Sequence, residues 1–176
     1  SVVMTRTRDE FIALSQRPAL ANRIPADLFV SVHSNANRKR SVSGIEVYYP
    51  RESVVSSSTS FPPRVETADV ALPTTTIRHI LWDLALTRSR RRSATMATHV
   101  CRAMEQQLGV RCRGVKGARF VVLREAWMPA ILVEVGYVSN RTEAARLAEA
   151  SYRQAIAQAI TAGVRSYLQH EGRQQG

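Results

Sequence analysis

Ala130-Ile131-Leu132-Val133-Glu134-Val135-Gly136 is an apolar run, rich in β-branched residues and interrupted once, by a carboxylate. Much earlier, Leu28-Phe29-Val30-Ser31-Val32 has the same character and ends at His33. Short continuous apolar runs of this kind suit strands covered on both faces, because an exposed face would demand alternating polar residues. Polar loops and helix-forming stretches separate the two runs. Strands alternating with helices predict an α/β fold, with a twisted, largely parallel sheet and helices on both faces.

Working outward from these runs, residues 44–49 read as a further strand and 120–123 as another, while residues 1–5 have strand-like composition. Ser15 is placed to cap a helix through residue 22, with Pro18 in its first turn, where a missing N–H costs nothing. Residues 51–75 are rich in Ser, Thr and Pro without a period and read as an insertion, long for a structureless connection. Ile77, Ile80, Leu81 and Leu84 mark one helical face. Ala97, Val100, Cys101, Met104 and Leu108 mark a second. Arg88-Ser89-Arg90-Arg91-Arg92 falls between them, and Gly109 is a plausible stop. Residues 142–150 are helix-prone. Ser151 and Gln154 form a capping box for a last helix whose stripe is Ile156, Ala159, Ile160, Gly163, Val164 and Tyr167. Gly136 permits a backbone turn that a residue with a Cβ resists.

The 176 residues are one domain's worth of chain, and 44% hydrophobic content excludes a disordered chain. No apolar run approaches the ~20 residues that span a bilayer, so no transmembrane segment is expected. Lys and Arg total 25 against 14 Asp and Glu, a formal charge of +11 that favours an anionic partner. No nucleic-acid partner is expected, and a nucleic-acid-binding basic protein is the least favoured of the alternatives. Aromatic residues are only 6%, none interleave a basic stretch as a single-strand platform requires, and no familiar nucleic-acid motif occurs. The two cysteines, Cys101 and Cys112, lack metal-type spacing and leave open a disulfide or two free thiols. The chain opens at Ser1 with neither an initiator Met nor a signal segment, and Ser1 reads as a cut point.

His33 and Glu134 stand at the ends of apolar strands, where open α/β sheets gather ligands. A carboxylate amid Ile, Leu and Val is costly unless paired or working. An arginine partner for Glu134 and a hydrogen-bonded core position for His33 are the structural alternatives. Taken together the two fit metal-assisted hydrolysis. Neutral imidazole holds zinc, zinc lowers the pKa of a bound water to about 7, and a nearby carboxylate takes its proton.

The segment Ala26-Asp27-Leu28-Phe29-Val30-Ser31-Val32-His33-Ser34-Asn35-Ala36 resembles a signature of the zinc-dependent N-acetylmuramoyl-L-alanine amidases, the amidase-3 family of the bacterial cell wall. Met128-Pro129-Ala130 through Glu134-Val135-Gly136-Tyr137-Val138-Ser139-Asn140 is similar to a second signature. Arg113-Gly114-Val115-Lys116, Val3-Met4-Thr5-Arg6 and the Tyr152-Arg153-Gln154 helix also fit, and only about residues 50–90 do not. The resemblance implies one catalytic domain over residues 1–176, with a Ser/Thr/Pro/Arg-rich insertion at about 50–92. It implies cleavage of the amide between N-acetylmuramic acid and the L-alanine of the stem peptide, in the periplasm or outside the cell. His33 matches a zinc histidine and Glu134 the catalytic glutamate. Asn35 is placed to orient substrate or support the site, and capping its loop is the plainer role.

The resemblance also implies a departure. The family's other zinc histidine and its zinc glutamate precede the Val3-Met4-Thr5-Arg6 strand, so both would lie before Ser1 and the fold would be N-terminally incomplete. His79, His99, Glu46 and Glu66 stand in no matching motif. Some members carry an insertion that blocks zinc until an activator protein binds; Glu66 or Asp69 is placed to act so, although a plain surface insertion is the simpler reading. Arg88 to Arg92 suits wall phosphates or a solvated face. The alternative to a peptidoglycan hydrolase is an inactive, wall-binding domain that keeps the fold without the metal.

Overall fold

The computed structural model describes residues 1–24, 26–51 and 75–174, with side chains for all of these except 75–80 and 82. The elements are α1 (Gln16–Arg23), β1 (Phe29–Asn35), β2 (Ile45–Pro50), α2 (Thr75–Leu108), β3 (Cys112–Ala118), α3 (Val121–Arg124), β4 (Ala130–Tyr137), α4 (Arg141–Ala148) and α5 (Ala150–Gln174). The strands form one sheet in the order β1-β4-β2-β3. β1 pairs with β4 and β2 with β3 in parallel, while β2 and β4 run antiparallel. This is the α/β architecture expected from the sequence, with a mixed central pairing.

Side-chain alternation divides the sheet into two faces. On the first, Ile45 and Val47 of β2 and Ile131, Val133 and Val135 of β4 meet Met96, Val100 and Met104 of α2 and Ile156, Ala159 and Tyr167 of α5. The two helices touch at Gly163, where an added Cβ would stand 2.5 Å from the Val100 Cα, so only glycine allows this approach. Arg92 Nε donates to the Tyr167 hydroxyl at 3.2 Å and pairs with Glu171 at 2.6 Å, closing the far end of the helix pair. On the second face, Phe29, Ala130 and Leu132 meet Ala21 of α1, Val122 and Leu123 of α3, and Ala126. Helices therefore cover both faces, thickly on one side and thinly on the other.

Several expectations need correction. Residues 120–123 contribute to the short helix α3 rather than a strand, because four apolar residues fit one helical turn as well as an extended run. The strand in this region is β3, whose Arg-Gly-Val-Lys-Gly sequence gives an edge strand little apolar signature. The two expected helices around Arg88 to Arg92 are one, α2, since arginine is a good helix former and interrupts nothing. It ends as expected at Gly109, which has φ 62° and donates its N–H to the Glu105 carbonyl at 3.1 Å. Ser15 makes no capping hydrogen bond, its own backbone being helical. Residues 1–5 form no strand among the described residues. Of the expected insertion, residues 52–74, including Glu66 and Asp69, lie outside the described residues, and 75–92 belong to α2. Cys101 of α2 and Cys112 of β3 form a disulfide, with Cα atoms 6.0 Å apart.

Candidate active site

His33 and Glu134 are register partners on the adjacent parallel strands β1 and β4, and Glu134 also faces Glu46 of β2. Register partners share a face, and Glu134 follows Ala130 and Leu132 at period two, so all three polar side chains lie on the thinly covered side. They stand just beyond the rim of the α1–α3 layer. Directly after them the ladder breaks. The β1–β4 register shifts between His33 and Asn35, and Gly136 adopts φ 151°. Glu143 at the start of α4 holds this end in place: its Oε2 accepts from the Tyr137 N–H and its Oε1 from the Gly44 N–H, both at 2.8 Å. Asn140 caps α4 by accepting from the Thr142 and Glu143 N–H groups at 3.1 Å, which fixes that carboxylate relative to the strand.

The two carboxylates in the middle of the sheet have opposite surroundings. Glu46 is saturated. Its Oε1 accepts from Lys116 Nζ at 2.6 Å and Arg113 Nε at 3.3 Å, and its Oε2 from the Tyr48 hydroxyl at 2.6 Å and Asn35 Nδ2 at 3.4 Å. Burial pushes the Glu46 pKa up, but hydrogen bonds from Lys116 and Tyr48, the Lys116 charge and the Arg113 hydrogen bond outweigh it and hold the carboxyl below its ordinary range. Glu134 is the reverse. Its Oε2 is buried and has no hydrogen-bond partner among the described residues. Burial, and then the neighbouring Glu46 charge, raise its pKa. A carboxylate with an unused oxygen and enhanced proton affinity is suited to taking a proton from a bound reactant and giving it back. The His33 imidazole is driven towards its neutral form by burial, then by Arg17 and Arg6, which is the form that ligates a metal.

A catalytic zinc is ordinarily held by three protein ligands. Among the described residues no group of three His, Cys, Asp or Glu side chains is arranged to hold a metal ion. His33 offers one free donor, and the Glu46 oxygens are already occupied. The described residues therefore do not make up a zinc site by themselves. His99 does not contribute, since it lies on α2 with its Nδ1 2.9 Å from Ser166 Oγ on α5. The side chain of His79 and all of Glu66 lie outside the described residues.

The fold thus brings His33 and Glu134 together, with Asn35 reaching the same place through Glu46. Asn35 also accepts the Ala36 N–H at 2.8 Å, the loop-capping role its position suggested. The sequence reading missed Glu46 as a hub. Its signal was present, a lone carboxylate between Ile45 and Val47 in an apolar strand, the same pattern that singled out Glu134. Its cations lie some 70 residues away on β3, a pairing that local pattern does not reveal.

Known proteins share this chain's sequence pattern and fold. A family profile described as N-acetylmuramoyl-L-alanine amidase (Amidase_3) matches residues 1–166. The chain is 32% identical over 173 residues to N-acetylmuramoyl-L-alanine amidase AmiA of Escherichia coli, covering 94% of this chain and 60% of that protein. It is 31% identical over 165 residues to the amidase LytC of Bacillus subtilis, covering 94% of this chain and 26% of the other. The chain thus spans less than two thirds of the length of either relative. Among solved structures, the catalytic domain of the amidase CwlV from Paenibacillus polymyxa superposes with a TM-score of 0.70 at 29% identity, over 96% of this chain and 73% of that one. The amidase AmiC2 of Nostoc punctiforme gives 0.68 at 31% identity, over 95% and 72%. The sheet, its polar cluster and these matches together identify the chain as a member of the Amidase_3 family of N-acetylmuramoyl-L-alanine amidases.

Proposed function

We propose that this protein hydrolyses the amide bond between N-acetylmuramic acid and the L-alanine of the peptidoglycan stem peptide. The observation that carries this reading is the buried Glu134 Oε2 beside His33, which has no hydrogen-bond partner among the described residues. In the proposed reaction Glu134 takes the proton of the attacking water at that oxygen and returns it to the leaving alanine amine. Its neighbour Glu46, fully hydrogen-bonded, keeps proton affinity at Glu134 high without competing for the proton. Asn35, tied to Glu46, helps to hold the β1 end in position and lies where its amide also reaches substrate.

Zinc belongs to the same proposal. His33 furnishes one ligand, and the remaining donors come from outside the described residues. When bound, zinc supplies a Lewis acid that lowers the pKa of water to about 7. The cell envelope is the proposed location, periplasmic or extracellular, where the substrate lies and where the Cys101–Cys112 disulfide would persist. No helix among the described residues is long and apolar enough to cross a membrane. An activator protein acting through the region of residues 50–92 remains part of the proposal. The incomplete ligand set favours one other reading, a wall-binding domain without catalysis.

The test is release of the stem peptide from a muramyl peptide in the presence of zinc. Hydrolysis by the wild-type protein and its loss in Glu134→Gln, with zinc content unchanged, is the expected result. Hydrolysis undiminished in the variant would remove Glu134 from the mechanism. Binding of peptidoglycan without any hydrolysis would establish the wall-binding reading instead.

A further inference from the structure

Beside Glu134 the sheet carries more positive charge than its folding uses. Lys116 and Arg113 both bond to the single carboxylate of Glu46, and among the described residues neither has a second carboxylate within ion-pair distance. The Glu46 side chain is only 5% exposed, whereas those of Lys116 and Arg113 are 45% and 38% exposed. One buried anion is thus neutralised by two cations that remain open to solvent. An ammonium carries three donors, and Lys116 spends one on Glu46. Arg113 adds one hydrogen bond to the Ser43 carbonyl at 3.4 Å, with donors still unspent.

Their position relative to Glu134 is set by the sheet. β3 lies two strands from β4, but both cations lean back over β2 to reach Glu46, which pairs directly with Glu134. Their charged ends therefore stand about one strand spacing, ~4.8 Å, from the strand that carries Glu134. An extended peptide advances ~3.3–3.6 Å per residue. A substrate whose reacting amide lies at Glu134 brings the residue after the alanine into this range. The platform is firm. β3 is joined to α2 by the Cys101–Cys112 disulfide, and Tyr48, which also bonds Glu46, packs edge-on against Phe120 with ring centroids 5.2 Å apart.

We propose that Lys116 and Arg113, oriented by Glu46, form a subsite for a carboxylate on the substrate's peptide, one residue beyond the bond that is cut. The inference rests on the amidase reading and adds a selectivity to it: stem peptides whose second residue keeps a free carboxylate are preferred over those in which it is amidated. An amide offers the two cations no charge and only a neutral acceptor, and charge-assisted hydrogen bonds are the stronger class.

Calorimetric titration of the Glu134→Gln protein, which should not consume its ligand, with two muramyl dipeptides tests this. One carries a free carboxylate on the second residue and the other its amide. The free acid should bind about tenfold more tightly, and the difference should shrink as salt rises, because the cations are partly exposed. Lys116→Met should abolish the preference. That variant strips buried Glu46 of its nearer cation, so the double variant Glu46→Gln/Lys116→Met, which removes the buried charge as well, is measured beside it with the same expectation. Arg91→Gln removes an equal charge from α2, across the sheet, and should keep the preference. Equal affinity for the two dipeptides, or a preference that survives both Lys116 variants, would overturn the subsite. If neither dipeptide binds at all, the amidase reading itself is overturned.

Discussion

The two faces of the sheet divide the work. Against α2 and α5 the surface is apolar and closely packed, with Met96, Val100, Met104 and Tyr167 at most marginally accessible and a helix contact so tight that Gly163 has no room for a methyl group. Against α1 and α3 the cover is thin, and beyond its rim the same strands present His33, Glu134 and Glu46. Alternation along β2 and β4 makes this separation possible, since neighbouring residues serve opposite purposes without sharing neighbours. Val133 and Val135 anchor the core while Glu134, between them, faces the site. Substitutions on one face should leave the other's property nearly untouched.

The largest effect tests the polar face. Glu134→Gln should lower the proposed amide hydrolysis by ~10²–10⁴-fold, the usual worth of a positioned acid–base group. Thermal unfolding should show a melting temperature equal to or above that of the wild type, because a buried carboxylate without a partner is a burden on the fold. A large drop in melting temperature would show that the two faces are coupled. Met104→Ala tests the apolar face and should cost ~2–5 kcal/mol in denaturant unfolding. Turnover per folded molecule should not change. Gly163→Ala forces a Cβ against the Val100 backbone and should cost ~1–3 kcal/mol by the same measurement. No loss there would mean that α2 and α5 slide apart freely.

The smallest effect is on acid stability. The Glu46 pKa is depressed in the folded protein, so its ion pairs stabilise the fold fully above the unfolded carboxylate's pKa, and that contribution is lost as pH falls through the folded value. Melting temperature should therefore decline on acidification more steeply in the wild type than in the double variant Glu46→Gln/Lys116→Met. Parallel curves would remove Glu46 as an acid-sensitive link between β2 and β3.

The same division explains what was legible in the sequence. β4 was plain because it is central and covered on both faces, which produces runs such as Ile131-Leu132-Val133, and β1 because its Leu28 to Val32 run is apolar although Val32 stands exposed at the sheet edge. β3 was not, because it is an edge strand with arginine, lysine and glycine at most positions, held by β2 and the disulfide more than by its own apolar surface. The unity of α2 was hidden by the arginines at 88 and 90–92, whose charge suggested a linker although their helix propensity is good. At the site, His33 and Glu134 stood out because each ends or breaks an apolar run. The Lys116 and Arg113 bonds to Glu46 join residues about 70 positions apart, and only the order of strands brings them together.

The cystine at the end of α2 has a practical consequence for anyone who purifies this protein. Cys112 opens the very strand that carries Arg113 and Lys116. Expression in a thiol-reducing cytosol, or dithiothreitol in the storage buffer, would remove that border strand's covalent tie to α2 and leave it held by its backbone ladder and the Glu46 ion pairs. Ligand affinity would then vary between preparations according to how each was handled, although both sulfurs belong to the core on the α2 side of the sheet.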